Sequence, residues 1–300
     1  MIRATIIART LFAFGVAFGL TGGWATGAAA DEGLLERGEH VFRAAGCLSC
    51  HTDFARGGRE LAGGRALKTP FGTFHTPNIS PDPATGIGAW TDEDFLGAVR
   101  HGVGPGGAPY YPAFPYTSYT LMRDDDALAL KAYLFSRPPV VRENTPHDLN
   151  FPFNLRFLML GWRLLFFNEG PFEPLLDASE EINRGAYLVD ALAHCGECHT
   201  TRNPFGAVDG SQYLAGNRDG PDREIVPNLT PDTTGLAGWS QADIVYLLRT
   251  GFRPNFDNVQ GSMAEVIKHG LKYLSDADLK AIAAYLAAIP PIENTLPTRR

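Results

Sequence analysis

Positive charge is scarce in this chain of 300 residues, which has 26 lysine and arginine residues against 33 aspartate and glutamate residues. The formal net charge is −7. Nucleic-acid-binding proteins need lysine and arginine against the phosphates, so we expect no nucleic acid partner. A dinucleotide glycine motif, a phosphate-binding loop and a Ser-His-Asp order are missing as well. An acidic surface is instead compatible with docking to a basic patch on another protein.

Apolar runs long enough to cross a membrane are also missing. Residues 1–30 carry Arg3 and Arg9, then an apolar run over 11–20, and they end in three alanines. This pattern predicts a cleaved secretory signal peptide, because a membrane span needs roughly 20 apolar residues. An uncleaved anchor is the alternative. We predict a mature chain that starts at Asp31 in the periplasm, either free or attached to the outer face of the inner membrane.

Cysteine is equally rare, and all four cysteines belong to two Cys-x-x-Cys-His motifs. This spacing is typical of covalent haem attachment, in which both thiols bond to the porphyrin edge and the adjacent histidine ligates the iron. No thiol is left for a disulfide or another metal site. We therefore predict two covalently bound haem c groups, held by Cys47, Cys50 and His51 in the first motif and by Cys195, Cys198 and His199 in the second.

The sequence around the two motifs is repeated. Asn78 lies in Pro-Asn-Ile-Ser-Pro-Asp and Asn228 in Pro-Asn-Leu-Thr-Pro-Asp, and similar glycine-rich segments end at Trp90 and Trp239. Two copies of one haem-binding unit follow from this shared order. We divide the chain into a signal peptide (1–30), a first domain (31–137), a linker (138–180) and a second domain (181–292).

Each copy is predicted to be mostly helical. Opening helices over about 34–45 and 182–192 precede the haem motifs. Short helices begin after Thr91 and Ser240, each followed three residues later by an aspartate, as in a capping box. Ser275 is predicted to cap the last helix. Glycines in the opening helices let these helices cross close to the closing ones: Gly38 against Tyr133, and Gly185 against Tyr285.

The predicted linker is the most apolar segment after the signal. Its phenylalanine, leucine and tryptophan residues are concentrated in 151–167, where Arg156 and Arg163 interrupt them. These charges argue against a membrane span. Three interpretations remain: a strap packed over both domains, a docking face for a partner subunit, or an element lying in the membrane interface.

These motifs resemble the cytochrome c subunits of membrane-bound periplasmic dehydrogenases, such as the alcohol and gluconate dehydrogenase complexes. The resemblance covers about 37–291 and rests on the haem motifs, the segments at 78–82 and 86–90, and the loops at 111–116 and 261–266. It implies an all-α fold of two tandem class I cytochrome c domains joined by the apolar linker. Relatives often carry three haems and a C-terminal membrane helix. This chain has neither feature in its sequence, which puts direct quinone oxidation in doubt.

The sixth iron ligand in such carriers is usually methionine, whose thioether favours ferrous iron. Met263, in a Gly-Ser-rich loop before the last helix, is the predicted ligand of the second haem. The first haem is less clear, since relatives have methionine where this chain has Phe114. Met122 is the nearest replacement, although aligning the closing helices puts it opposite Leu274 and favours packing. The open alternatives are Met122, an open or water-bound iron, His101, Tyr110, Tyr111 and Tyr116.

The predicted function is electron transfer rather than catalysis. The resemblance implies a dehydrogenase catalytic subunit as donor, and quinone, an oxidase or another cytochrome as acceptor, with peripheral membrane association as a further option. The alternative is a dihaem redox enzyme, of the peroxidase or thiosulfate dehydrogenase type, that uses an open first haem. Thiosulfate-oxidising relatives commonly need a cysteine ligand, and no free cysteine exists here. A redox or gas sensor is a third class, without any signalling domain in the sequence.

Overall fold

The computed structural model describes residues 24–296, and most of its elements are helices, as predicted. The predicted signal peptide lies outside the described residues, apart from 24–30, which form the first turns of the first helix. That helix therefore begins about ten residues earlier than the sequence analysis expected, because the alanines before Asp31 are strong helix formers. The helices are α1 (Trp24–Ala44), α2 (Cys47–Cys50), α3 (Asp92–His101), α4 (Tyr116–Tyr119), α5 (Asp124–Phe135), α6 (Leu158–Phe166), α7 (Glu180–Ala186, continued by a π-helix over Tyr187–Leu192), α8 (Gly196–His199), α9 (Gln241–Thr250), α10 (Gly261–His269) and α11 (Asp276–Ala288).

The all-α prediction is wrong in one region, where three short strands form an antiparallel sheet. Strands β1 (Ala66–Thr69) and β2 (Gly72–His75) form a hairpin, and β3 (Asp148–Leu149) pairs with the other edge of β2. Gly72 has a φ of +123°, which favours glycine at the turn. Since β3 comes from the predicted linker, part of this segment belongs to the fold of the first half of the chain.

The opening and closing helices cross at Gly38 and Gly185, as predicted. A Cβ atom on Gly38 would lie 2.1 Å from the carbonyl oxygen of Ala129 and 2.7 Å from Cβ of Tyr133. A Cβ atom on Gly185 would meet Ala281 and Tyr285 in the same way. Only glycine lets these helix backbones approach so closely, which confirms the crossing in both halves.

The predicted helix starts are confirmed as well. Thr91 and Ser240 cap α3 and α9 in full capping boxes, in which the side chain of the aspartate three residues on accepts a bond from the backbone of the cap. Ser275 caps α11 through the backbone N–H of Asp278. These bonds satisfy N–H groups that the first turn of a helix leaves without partners.

An arginine of each opening helix pairs with an aspartate of the closing helix in its own half. Arg37 Nε lies 2.6 Å from Asp126, and Arg184 Nε lies 2.7 Å from Asp278. Both carboxylates are buried. Each half therefore repeats not only the helix crossing but also the ion pair beside it.

Each of these aspartates also receives a bond from the other half. His40 Nε2 lies 2.7 Å from Asp278, and the Tyr187 hydroxyl donates to Asp126 at 2.5 Å. His40 and Tyr187 stand at equivalent positions, two residues after Gly38 and Gly185. The contact between the halves is therefore reciprocal, like the interface of a symmetric dimer.

Apolar packing is continuous between the halves. One cluster of buried side chains includes Val41 and Leu130 of the first half together with Leu188 and Leu279 of the second. A smaller cluster lies under the linker, where Met159 and Trp162 of α6 pack against Phe74, Tyr111 and Tyr116. The inner side of α6 is therefore packed on the first half, and the Trp162 indole donates to the carbonyl of Phe205 in the second half. Among residues 24–296, no helix is long and apolar enough to cross a membrane.

Candidate haem sites

The first Cys-x-x-Cys-His motif forms α2 and the residue after it. Gly46, in the left-handed region at φ 64°, turns the chain sharply from α1 into α2. His51 Nδ1 donates to the carbonyl oxygen of Pro77 at 2.8 Å. This bond puts the ring proton on Nδ1 and leaves the Nε2 lone pair available to a metal. Burial lowers the pKa of His51, which favours the neutral imidazole that iron requires.

A cavity of about 630 Å³ opens beside this motif. Cys47, Cys50 and His51 line it together, and Phe114 and Pro115 also contribute to its wall. Its remaining walls are largely apolar, as a porphyrin ring requires. They include Leu67, Ile79, Ile87, Phe95, Val99, Leu130 and Leu134. The residues present therefore fit a haem bonded to both cysteines with His51 under its iron.

Two parts of this wall were not predicted from the sequence. The linker supplies Asn144, His147, Leu149 and Arg156, and the second half supplies His194. The linker residues reach the cavity through β3, a strand too short to leave a periodic signal. His194 directly precedes Cys195 in sequence, and the reciprocal packing of the halves brings it to the other motif. Neither contact could be read from local patterns.

The second motif repeats the histidine geometry of the first. His199 Nδ1 donates to the carbonyl oxygen of Pro227 at 2.8 Å. Burial lowers the pKa of His199 to about 4, so its imidazole is neutral at pH 7. Burial also raises the pKa of Cys195 and of Cys198 to about 12 each. These thiols are therefore protonated at neutral pH before any bond to haem forms.

The two equivalent asparagines of the repeat anchor loops. Asn78 Nδ2 donates to the carbonyl of Val140 at 2.7 Å, and its amide oxygen accepts from the backbone of Ser80. Asn228 repeats this arrangement, with Nδ2 donating to the carbonyl of Ile292 at 2.8 Å. Asn78 also lines the first cavity. Both asparagines therefore anchor the loops that follow the haem motifs, and Asn78 also has a place in the cavity wall.

The candidate sixth ligands fall into different environments. Met263 is the third residue of α10 rather than part of a loop, because a helix starts at Gly261, and it packs half-buried against the main core. Met122 is fully buried in that core and is not among the residues that line the His51 cavity, whereas Phe114 is. The structure therefore does not place Met122 in the wall of the His51 cavity.

The other candidates for the first iron differ in the same way. Tyr110 and Tyr111 line the cavity, while Tyr116 is fully buried under the linker. Half-exposed His101 ends α3 and pairs with Glu169. Tyr116 and His101 therefore lie outside the cavity wall.

The two motifs are close neighbours. His194 Nε2 donates to the carbonyl of Ala45, two residues before Cys47, at 3.3 Å. Its ring packs edge-on against Tyr119, with 5.3 Å between the ring centres. The buried carboxylate of Glu197, inside the second motif, accepts from Thr117 at 2.6 Å. Residues in and beside the second motif are thus bonded to the chain just before the first motif and to helix α4.

A cavity with two cysteines and a neutral histidine together in its wall defines the site of a c-type cytochrome. A family model described as Cytochrome c matches residues 35–137. The chain is 46% identical to a diheme cytochrome c-type protein of Cereibacter sphaeroides, over 87% of this chain and 88% of that protein. The chain therefore belongs to the cytochrome c family, and it carries covalently bound haem c as its motifs predict.

Two further relatives are subunits of larger assemblies. The chain is 40% identical to the cytochrome c subunit of an alcohol dehydrogenase (quinone) of Gluconobacter oxydans, over 88% of this chain and 56% of that subunit. It is 39% identical to the gluconate 2-dehydrogenase cytochrome c subunit of Pantoea cypripedii, over 87% of this chain and 60% of that subunit. This chain thus spans little more than half the length of these two dehydrogenase subunits.

Proposed function

We propose that this chain is a periplasmic dihaem cytochrome that passes electrons from a dehydrogenase catalytic subunit to the respiratory chain. The observation that carries the proposal is the contact between the motifs: His194, next to Cys195, belongs to the wall of the cavity that holds His51. Haems attached at both motifs are then neighbours in one protein. The haem iron supplies reversible one-electron oxidation and reduction when bound, and the chain's own residues only hold and insulate it.

In this proposal, Cys47 and Cys50 attach the first haem, and Cys195 and Cys198 attach the second. His51 and His199 are the proximal ligands, each oriented by a prolyl carbonyl 2.8 Å from Nδ1. Such outer bonds fix the tautomer and the ring orientation of a ligating histidine. Met263 is the sixth ligand of the second iron.

We further propose that each motif heads its own class I cytochrome c domain, over 31–137 and 181–292, with 138–180 as the linker. The repeated helix crossings, capping boxes and ion pairs support this division. The contribution of β3 and of Asn144 to the first half means that the linker is also a structural part of the first domain.

We prefer the electron carrier to the dihaem enzyme because these relatives are named as cytochrome c subunits of dehydrogenases. The substrate in each name is that of the dehydrogenase as a whole. A strain that lacks this chain tests the choice. We expect it to lose oxygen consumption with one oxidisable substrate from a panel of alcohols, sugars and aldonic acids. The intact chain should restore respiration, and the Cys195→Ser/Cys198→Ser double variant should not. Unchanged respiration on the whole panel, together with lost peroxide consumption, would favour the enzyme.

We also propose that the outer face of α6 docks the dehydrogenase subunit. Its inner side is packed, but Leu160, Leu164 and Leu165 are exposed, Leu164 to 87%. Within 151–170 no lysine or arginine is exposed, and Glu169 is the exposed charge. An anionic lipid surface therefore finds no basic partner here, which favours a protein over a membrane.

Leu164→Ser is the test of this face. We expect it to raise the cytochrome concentration needed for half-maximal reduction by the dehydrogenase, while reduction by dithionite stays unchanged. Leu176→Ser, at a leucine outside α6 that is exposed to 99%, is the matched control. Equal effects of both changes, or release of the Leu164→Ser variant from membrane vesicles without any kinetic effect, would contradict the docking role.

A further inference from the structure

The loops that follow α3 and α9 keep the same register in both halves. Each helix ends at a glycine in the left-handed region, Gly102 and Gly251. The backbone N–H of Tyr110 donates to the carbonyl of Gly102 at 2.8 Å, and that of Val259 donates to Gly251 at 2.9 Å. Both pairs are separated by 149 positions in the sequence, as are Trp90 and Trp239. The repeat therefore runs without a gap from the tryptophans to these loops.

Continuing this register for four residues pairs Phe114 with Met263, again 149 positions apart. Met263 is the proposed sixth ligand of the second iron. Phe114 lines the His51 cavity, with its ring 5.8 Å from the rings of Tyr110 and Tyr119. A phenyl ring has no lone pair for iron, so the ligand position of the first half is filled by a side chain that cannot bind the metal.

The histidines in the cavity wall are the next candidates for an iron ligand. His147 Nδ1 accepts from the backbone N–H of His75 at 3.2 Å, so the neutral ring carries its proton on Nε2 and has no free lone pair. His194 is bonded to the carbonyl just before the first motif. His75 is two residues from Pro77, the partner of the proximal His51. The His194 ring is therefore held beside the residues that lead into the first motif, and His75 lies in the strand that leads to the partner of His51.

The Tyr111 ring is held edge-on against Phe74 and His147. The guanidinium of Arg156 lies over it. Tyr110 is a poor ligand as well. Burial raises the pKa of Tyr110, which keeps its phenol protonated, and iron binds the phenolate. Its hydroxyl oxygen would lie 2.7 Å from a Cβ atom built on Gly104, so it points to the loop that follows α3. Neither the charge state nor the direction of this side chain suits ligation.

We propose that the first haem iron has no protein ligand on the Phe114 side and binds small neutral ligands there, of the class of carbon monoxide and nitric oxide. This inference rests on the proposed attachment of haem at Cys47 and Cys50. Neutral ligands are favoured because Ala113, Phe114 and Pro115 form an apolar wall. Arg156, which also lines the cavity, donates to the carbonyl of Pro109 at 3.0 Å and stacks over Tyr111, so it does not face an anion freely.

Titration of the dithionite-reduced holoprotein with carbon monoxide tests the proposal. We expect one carbon monoxide bound per chain that carries two haems, seen as a shift of half of the Soret absorbance. Phe114→Met should lower this number from one to none. In the oxidised protein the same variant should add a second methionine–iron(III) band in the near infrared. Phe114→Leu, which removes the ring without supplying a ligand, should still bind one.

A second variant identifies the iron concerned. Met263→Ala should bind two molecules of carbon monoxide per chain. If the Met263→Ala variant does not fold, Phe114→Met and Phe114→Leu still test the proposal. No binding to the wild type, or one molecule bound to Phe114→Met, would overturn the proposal. Haem content from the pyridine haemochrome is measured in the same samples. Fewer than two haems per chain would count against the proposed haem attachment and not against the open position.

Discussion

The Ser118 hydroxyl donates a 2.9 Å hydrogen bond to the carboxylate of Glu197, which joins helix α4, just after Phe114, to the second haem motif. Thr117 and Arg202 complete the set of donors to this carboxylate. Burial opposes its ionisation, but Arg202 and the hydroxyl of Thr117 prevail and lower the pKa of Glu197. The position of the second motif is thus coupled directly to helix α4, which follows Phe114, through one charged group.

Ser118→Ala should therefore destabilise the contact between the halves. A hydrogen bond to a charged group contributes about 1.5 to 3 kcal/mol, so we expect a loss of that size in the free energy of unfolding. Denaturant titration of the holoprotein measures it. Ser211→Ala is the control, because Ser211 also donates to a carboxylate, that of Asp209 at 2.7 Å, but at an exposed site. Equal losses in the two variants would show that the bond to Glu197 has no special weight.

Gly38→Ala should destabilise the protein although alanine is the better helix former. Its Cβ atom would lie 2.1 Å from the carbonyl oxygen of Ala129, so α1 and α5 must separate. Overpacking of this kind costs about 1 to 3 kcal/mol. Gly33→Ala in the same helix has nothing within 4 Å of the new atom and should gain up to about 1 kcal/mol. Thermal melting of both variants measures the difference, and opposite signs are the expected result.

Asp278 should make stability depend on acid. Burial disfavours its charge, yet the bonds from His40 and Arg184 hold the pKa of Asp278 well below its usual range. A lowered folded-state pKa gives stability that is complete above the unfolded value, about 3.9, and is lost as the pH falls below it. Asp278→Asn should therefore cost about 3 kcal/mol at pH 7 and flatten the fall in stability below pH 4.

The matched control is Asp276→Asn, in the same turn of α11, whose side chain is 80% exposed. We expect a change within about 0.5 kcal/mol, because an exposed ion pair contributes little. Urea titrations at pH 3, 5 and 7 compare the two variants. A steep acid dependence that survives in Asp278→Asn would assign it to other carboxylates.

Much of the architecture could be predicted because it depends on local sequence patterns. The haem motifs, the capping boxes at Thr91 and Ser240 and the close crossing at Gly38 each depend on residues near one another in sequence or on a repeated spacing. The sequence left three interpretations open for the segment 138–180, and it did not predict that this segment adds a strand to the sheet of the first half. Its strand β3 has only two residues, and its place beside β2 depends on partners more than 70 positions away in sequence.

The sequence by itself determined the chemistry of attachment, since four cysteines in two motifs leave no other use for the thiols. It also determined the helix starts and the duplication, because these follow from local hydrogen bonding and periodicity. The walls of the cavity at the first motif depend on the tertiary structure, which brings Phe114, linker residues and His194 together and leaves Met122 out of this wall. These contacts come from long-range packing of two similar halves, and no local pattern encodes them.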